Sequence, residues 1–145
     1  MRLVLSLLSK GGFSRQEFER KYRCAMHGLI HSCLSSSVFK EVQDIRNSGD
    51  PGLFTFSTLS GKFGPKGDIL PNQSYKLSIS SPYGPLFFSL VLHFKRMHIS
   101  KKMLTLGDSA FSIESLKDFT LSLKPGDTII SDGPVILTTV SEKSK

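Results

Sequence analysis

Apolar and polar residues alternate along this chain with two different periods, which predict a mixture of strands and helices. Residues 2–8 alternate and predict a strand. Ser14, with Glu17 three residues later, forms a capping box that opens a helix. The buried stripe of that helix recurs at helical spacing and consists of Phe18, Tyr22, Met26, Leu29, Ile30 and Cys33. The serine run at 35–37 predicts the end of this helix.

The pattern after the serine run predicts further helices and strands. These are a short helix with Val38, Val42 and Ile45, strands at 53–59 and 75–80, a helix at 86–97, and strands at 99–106 and 110–120. A turn at 47–52 precedes the strand at 53–59. The resulting order is that of the α+β ferredoxin-like βαββαβ fold, which also underlies RNA-recognition-motif (RRM-like) domains. After residue 121 the pattern changes to a turn at 124–127 and two short strands within 128–139.

Composition favours a polyanionic partner. The 145 residues fit one compact domain, and 19 Lys and Arg against 12 Asp and Glu give a formal charge of +7.

The cysteines and the apolar segments indicate the compartment. Cys24 and Cys33 lie roughly 13 Å apart along one predicted helix, too far for a disulfide, so we expect reduced thiols. No segment reaches the roughly 20 apolar residues that span a bilayer, so we predict a cytoplasmic protein without a membrane partner.

The polar side of the first helix carries candidate chemistry, because Arg20, Cys24, His27 and His31 fall together opposite its apolar stripe. Cleaving RNA without a metal needs a base for the 2′-hydroxyl proton, an acid for the 5′-oxygen and a cation for the phosphorane charge. Histidine suits the first two roles, since its reference pKa of about 6.5 populates both protonation states. Two alternatives stay open: ordinary solvated side chains, and a zinc face that needs His93 or His98 as an added ligand.

Further basic residues are candidates for holding RNA. The glycine-rich loop at 61–67 combines Lys62 and Lys66 with Phe63, a combination that grips a phosphate and stacks a base. An ordinary hairpin loop is the alternative. The residues that we predict to bind RNA are Arg20, Arg23, Lys62, Lys66, Lys101 and Lys102.

Two short motifs of the central segment resemble a known family. Gly28-Leu29-Ile30-His31 and Leu53-Phe54-Thr55-Phe56-Ser57, with the spacing between them, resemble the amino-terminal part of the CRISPR repeat-RNA processing endoribonucleases, the sixth of the Cas proteins. The resemblance covers roughly residues 1–140, and its central third is specific. It implies metal-independent cleavage of repeat RNA by the 2′-hydroxyl, which leaves a cyclic phosphate, and it implies no cofactor.

The resemblance also assigns catalytic roles residue by residue. His31 falls where family members have a tyrosine or histidine of the active site. His27 has no assigned counterpart in the family, but it lies one turn from His31 and is expected to supply the second imidazole. Arg46 falls where many members have their principal histidine, and Gly52 falls where some have a lysine. An arginine cannot exchange protons near neutral pH, so Arg46 is expected to stabilise charge. The predicted catalytic set is His31, His27 and Arg46, with no metal.

The resemblance implies a longer protein than this chain. We expect residues 1–121 to form the ferredoxin-like domain, and residues 122–145 to be a linker and the first strands of a truncated second domain of the same kind. The partners predicted are CRISPR repeat RNA, a second copy of the chain or a separate carboxyl-terminal half, and a Cas effector complex. The alternatives are a non-catalytic module that binds repeat RNA, an inactive truncated relative, and an interaction domain without an RNA role.

Overall fold

The computed structural model of the chain describes residues 1–49 and 53–119, together with residues 125, 126 and 128. Its elements in chain order are β1 (Arg2–Ser9), α1 (Arg15–Ser32), α2 (Ser36–Asn47), β2 (Thr55–Phe56), β3 (Ser60–Gly61), β4 (Ser74–Ser80), α3 (Gly84–Ser100), β5 (Met103–Leu106) and β6 (Ser109–Phe119). Across these described residues, no helix is long and apolar enough to cross a bilayer.

The strands form one antiparallel sheet in the order β2-β4-β1-β6-β5, and β3 pairs with β4 beside β2. Strands β2, β4, β1 and β6 have the neighbour relations of the βαββαβ fold, so the predicted α+β ferredoxin-like architecture is confirmed. The strand predicted at 99–106 is not the fourth strand of that fold. That place belongs to β6, and the shorter β5 is an added edge strand.

The core lies between one face of the sheet and the helices. Leu3, Leu5 and Leu7 alternate along β1 and are completely buried, as expected for a strand with one covered face. Residues of α1 and α3 that pack on this face are also buried and include Met26, Ile30, Leu86, Leu90 and Phe94. Each such side chain contributes about 1.5–3 kcal/mol by leaving water. The opposite sheet face carries mainly serine and basic residues, such as Ser6, which pairs with Lys76 and Ser115.

Serine side chains set two boundaries differently from the prediction. Ser35 Oγ accepts the Val38 N–H at 3.5 Å, so the serine run begins α2, while α1 ends at Ser32 and is capped by Cys33. The strand expected at 53–59 is reduced to β2, because Ser57 Oγ, instead of a backbone carbonyl, accepts the Ser78 N–H at 3.0 Å. Helix α3 also runs past the predicted end at 97 and ends at Ser100, because its C-cap Lys101 has a left-handed φ of 54°.

The predictions for the carboxyl-terminal segment lie outside the described residues. These are the turn at 124–127 and the strands within 128–139, of which only Pro125, Gly126 and Thr128 are described. Residues 50–52, including Gly52, are likewise outside. The division into domains at 121 and 122 therefore stays a prediction.

Two glycines give opposite predictions for stability. A Cβ at Gly28, inside α1, meets nothing within 4 Å, so Gly28→Ala should stabilise the protein by about 1 kcal/mol through helix propensity. A Cβ at Gly61 lies 2.7 Å from Ser74 O and 2.8 Å from Tyr75 Cδ1. Gly61→Ala should therefore destabilise by about 1–3 kcal/mol. Urea denaturation of both variants measures this, and equal midpoints would contradict it.

Candidate functional site

The two helix histidines lie against aromatic rings from the edge of the sheet. The His27 ring centroid is 5.4 Å from Phe54 and 5.4 Å from Phe56, and the His31 centroid is 5.9 Å from Phe54. Phe54 directly precedes Thr55, the first residue of β2, and its neighbour Leu53 has its carbonyl bound by the buried Ser81 hydroxyl at 2.5 Å. Helix α1 and the edge strand thus form one cluster, in which phenylalanine rings pack against both imidazoles.

His31 is more covered than the helix pattern predicts. Arg20, Cys24 and His27 are exposed on α1 as expected, but His31 is half-buried. The physical reason is that α2 places Phe39 edge-on against His31, with ring centroids 5.6 Å apart. The helix period alone does not indicate this partial covering of His31.

This environment changes the protonation of His31. Burial lowers the pKa of the His31 imidazole, and the positive charges of His27 and Arg46 lower it further. The ring is therefore neutral near pH 7, which is the form that accepts a proton. Its Nδ1 is buried and has no hydrogen-bond partner among the described residues, so none of those residues fixes the tautomer. Arg46 itself is exposed in the last turn of α2.

A groove of about 450 Å³ opens beside His27. It is lined by Tyr22, Arg23, His27 and residues 54–58. The Tyr22 hydroxyl donates to Ser57 O at 2.6 Å, and burial raises the pKa of this phenol. Tyr22 is therefore a structural donor in the wall of the groove, in line with its predicted place on the buried stripe.

The remaining predicted RNA-binding residues fall in separate places. Lys62 and Lys66 are exposed on the loop between β3 and β4, and Arg23 is exposed on α1 beside the groove. Lys101 and Lys102 lie between α3 and β5, at the sheet edge opposite to β2. The structure thus brings Arg23, His27, His31 and Arg46 to one side and leaves Lys101 and Lys102 apart from them.

Sequence reasoning missed the aromatic partners of the histidines. Phe39, Phe54 and Phe56 each contact an imidazole. The sequence pattern does not single out Phe39, and it places Phe54 and Phe56 only in a strand and in a motif of the resemblance. The alternation of Phe54 and Phe56 was a usable signal, because it places both rings on the same face of an edge strand.

The described residues offer no metal centre. Within 1–49 and 53–119, no three His, Cys, Asp or Glu side chains lie close enough together to hold an ion. His98, one of the two candidates for an added zinc ligand, instead has its Nδ1 at 2.9 Å from Ile113 O of β6.

CRISPR and RAMP proteins are among the solved structures that share this fold. The chain aligns with a CRISPR associated protein Cas6 at a TM-score of 0.55 and 19% identity, over 86% of this chain and 50% of that chain. It aligns with a RAMP protein binding different RNA substrates at 0.56 and 18%, over 86% and 50%. A Cas6-related protein from Pyrococcus furiosus gives 0.52 and 16%, over 85% and 49%.

These likenesses confirm the resemblance inferred from the two motifs at the level of the fold. The chain spans about half the length of the solved chains that it matches. No protein-family model matches the chain, and no curated protein is significantly similar to it in sequence.

The lowered pKa of His31 predicts how stability depends on pH. Below about pH 6.5 the unfolded chain binds a proton at His31 more readily than the folded chain does. The contribution of neutral His31 to the free energy of unfolding is therefore complete above that pH and is lost as the pH falls. As the pH is lowered from 7.5 to 5.0, the free energy of unfolding of His31→Phe should therefore fall less than that of the native chain. The pKa of His93 is also lowered, so part of the pH dependence of stability should remain in this variant.

The measurement is urea denaturation at several pH values, with His98→Gln as a variant that leaves His31 in place. Parallel pH profiles for the native chain and His31→Phe would contradict the burial of this imidazole.

Proposed function

We propose that the chain binds CRISPR repeat RNA and processes it as a metal-independent endoribonuclease, with His27, His31 and Arg46 as its catalytic residues. The observation that carries the proposal is that both imidazoles pack on the same ring, Phe54, with the guanidinium of Arg46 near enough for its charge to lower the pKa of His31. Metal-free cleavage of RNA requires a base, an acid and a fixed positive charge, and this cluster contains one group for each.

The roles follow from the chemistry and the surroundings of each group. Neutral His31 takes the proton from the 2′-hydroxyl, and the 2′-oxygen then attacks the adjacent phosphorus. His27, which is exposed, carries a proton to the 5′-oxygen as the bond from phosphorus to that oxygen breaks. The products are a 2′,3′-cyclic phosphate and a 5′-hydroxyl end. Arg46 remains charged throughout and stabilises the phosphorane by its two-pronged geometry.

The groove beside His27 supplies a place for the RNA strand. Its walls combine the guanidinium of Arg23 with the rings of Phe54 and Phe56, which is the pairing of positive charge and stacking surface that holds single-stranded nucleic acid. The formal charge of +7 attracts the polyanion from a distance. One of the proteins that share the fold is described as binding different RNA substrates, which supports the same class of ligand here.

Repeat RNA is the partner on which the proposal depends. A cytoplasmic location, a homodimer or separate carboxyl-terminal half, and a Cas effector complex remain predictions. So does the position of Lys62, Lys66, Lys101 and Lys102 along bound RNA. Arg46 stands where the family that the chain resembles often has a histidine, and an arginine cannot transfer protons. This favours one further candidate, a non-catalytic module that holds repeat RNA.

Cleavage of labelled CRISPR repeat RNA in EDTA tests the catalytic proposal. His31→Ala and His27→Ala should each slow cleavage by about 100-fold or more, because each removes a proton-transfer group. A 2′-deoxy nucleotide before the cut should abolish product, because it removes the attacking oxygen. His98→Gln, a histidine change on α3, should leave the rate unaltered.

Cleavage of the deoxy substrate at the rate of the ribose substrate would exclude the mechanism. Tight RNA binding without any product from the native chain would instead establish the non-catalytic module.

The salt dependence of binding tests the place of Arg23. If about four phosphates are neutralised, affinity should fall by roughly 50-fold when salt rises fourfold, since each contact contributes about −0.7 to the logarithmic slope for a single strand. Arg23→Gln should reduce the slope by about 0.7. Arg96→Gln, the same change on the exposed side of α3, is the control and should keep the native slope. Fluorescence anisotropy at several salt concentrations gives these slopes, and equal slopes for all three proteins would remove Arg23 from the interface.

A further inference from the structure

A second hollow continues the groove beside His27 along α1. It has a volume of about 570 Å³ and shares Tyr22, Arg23 and Thr58 with the groove beside His27. The other residues that line it are Arg15, Phe18, Glu19, Leu59, Phe63, Gly67 and Ile69. Its volume lies within the range of about 300–1,000 Å³ that is usual for small-molecule sites.

One wall of this hollow is a loop that the chain builds in a fixed shape. Backbone bonds between Phe13 and Ile69, at 3.0 and 2.9 Å, tie the loop at 61–69 to the segment before α1. Asp68 Oδ1 accepts the Arg15 N–H at 3.0 Å, and the Tyr75 hydroxyl donates to Lys62 O at 2.7 Å. These bonds favour a preformed wall over a loosely held hairpin, and a preformed site loses less entropy when a ligand binds.

The position of Gly67 supports the same conclusion. Gly67 has a φ of 76°, and a Cβ there would lie 2.7 Å from Arg15 Cδ. The Arg15 side chain therefore lies directly over the loop backbone, while its Nε donates to Glu19 at 2.8 Å. The Arg15 side chain thus forms part of the wall of the hollow.

The lining matches the chemistry of a nucleotide. The hollow has apolar walls, among them Phe18, Leu59 and Ile69, and Phe63 is packed on Tyr75 with ring centroids 5.2 Å apart while 38% of it remains exposed. Arg23 lines both hollows and forms no ion pair with any other described residue. An exposed ring beside an unpaired guanidinium suits a base and its phosphate.

We infer that this hollow is a subsite for the base of one nucleotide near the cut, which stacks on Phe63 while Arg23 binds the phosphate between the two hollows. The inference rests on the proposed function, since it takes the RNA strand to run from the histidine groove along α1. Glu19 and His27 are eight residues apart, about 12 Å along the helix axis, so the base belongs to a nucleotide only a few positions from the scissile phosphate.

A scan with abasic nucleotides tests this subsite. Fluorescent repeat RNAs, each lacking one base, are titrated against the native chain, Phe63→Ala and Phe63→Leu. Stacking on an aromatic side chain is worth about 1–3 kcal/mol per base, so one abasic position near the cut should weaken native binding by about 5- to 150-fold. The same position should have little effect in either Phe63 variant. Phe88→Ala, which removes a phenylalanine that is 64% exposed on α3, should behave like the native chain.

If every abasic position acts equally in the native chain and in both Phe63 variants, the subsite is wrong even where RNA is bound and cut. Thermal denaturation of the variants identifies any loss of fold, and Phe63→Leu, which keeps an apolar side chain, tests stacking if Phe63→Ala is unstable.

A second measurement separates this inference from the proposed function. Adenosine 5′-monophosphate is titrated into the ¹⁵N-labelled chain, and the backbone amide shifts are followed by NMR. Saturable shifts at Arg23, Phe63 and Gly67 support the nucleotide pocket even if the chain cuts no RNA. Absence of shifts at millimolar nucleotide, or shifts confined to other residues, would overturn it even if repeat RNA is cleaved.

Discussion

The candidate site depends on the hydrogen bond from the Tyr22 hydroxyl to Ser57 O, at 2.6 Å, because this bond fixes helix α1 against the edge of the sheet. Tyr22 is on the buried stripe of the helix, and its ring packs on Phe56 with centroids 5.9 Å apart. A buried hydroxyl that lost its acceptor would cost about 1–3 kcal/mol. The contact therefore sets the separation between α1 and the edge strand, which determines where both histidines and both hollows lie.

The sheet provides the rigid support for this contact. Ser57 pairs with Ser78 of β4 through both its backbone N–H, at 2.9 Å, and its side chain, at 3.0 Å. Strand β4 in turn pairs with β1 along seven residues. The edge segment is thus anchored to the central strands, although β2 itself has only two residues. Such anchoring suits a site that must hold a ligand in one geometry.

The cluster differs in chemistry from a pair of solvated histidines. Phe39 and Phe54 remove water from one imidazole, and the charges of His27 and Arg46 then oppose its protonation. The result is one neutral imidazole next to one exposed imidazole, and two similar groups held in different environments are suited to opposite proton-transfer roles. Arg46 adds a guanidinium, whose planar fork of donors matches the oxygens of a phosphate.

The sequence by itself determined the elements that are long and strongly periodic, namely β1, α1, β4 and most of α3, because their periods record which side of each element faces the core. The capping box at Ser14 and the fold class followed from the same local patterns. Only the tertiary structure decided that Phe39 covers His31, that Ser57 interrupts the edge strand, and that the loop at 61–69 closes a hollow beside Arg23. These features join residues that are not neighbours in sequence, and their contacts depend on where the tertiary fold places Phe39, the edge segment and the loop relative to α1, which no local period encodes.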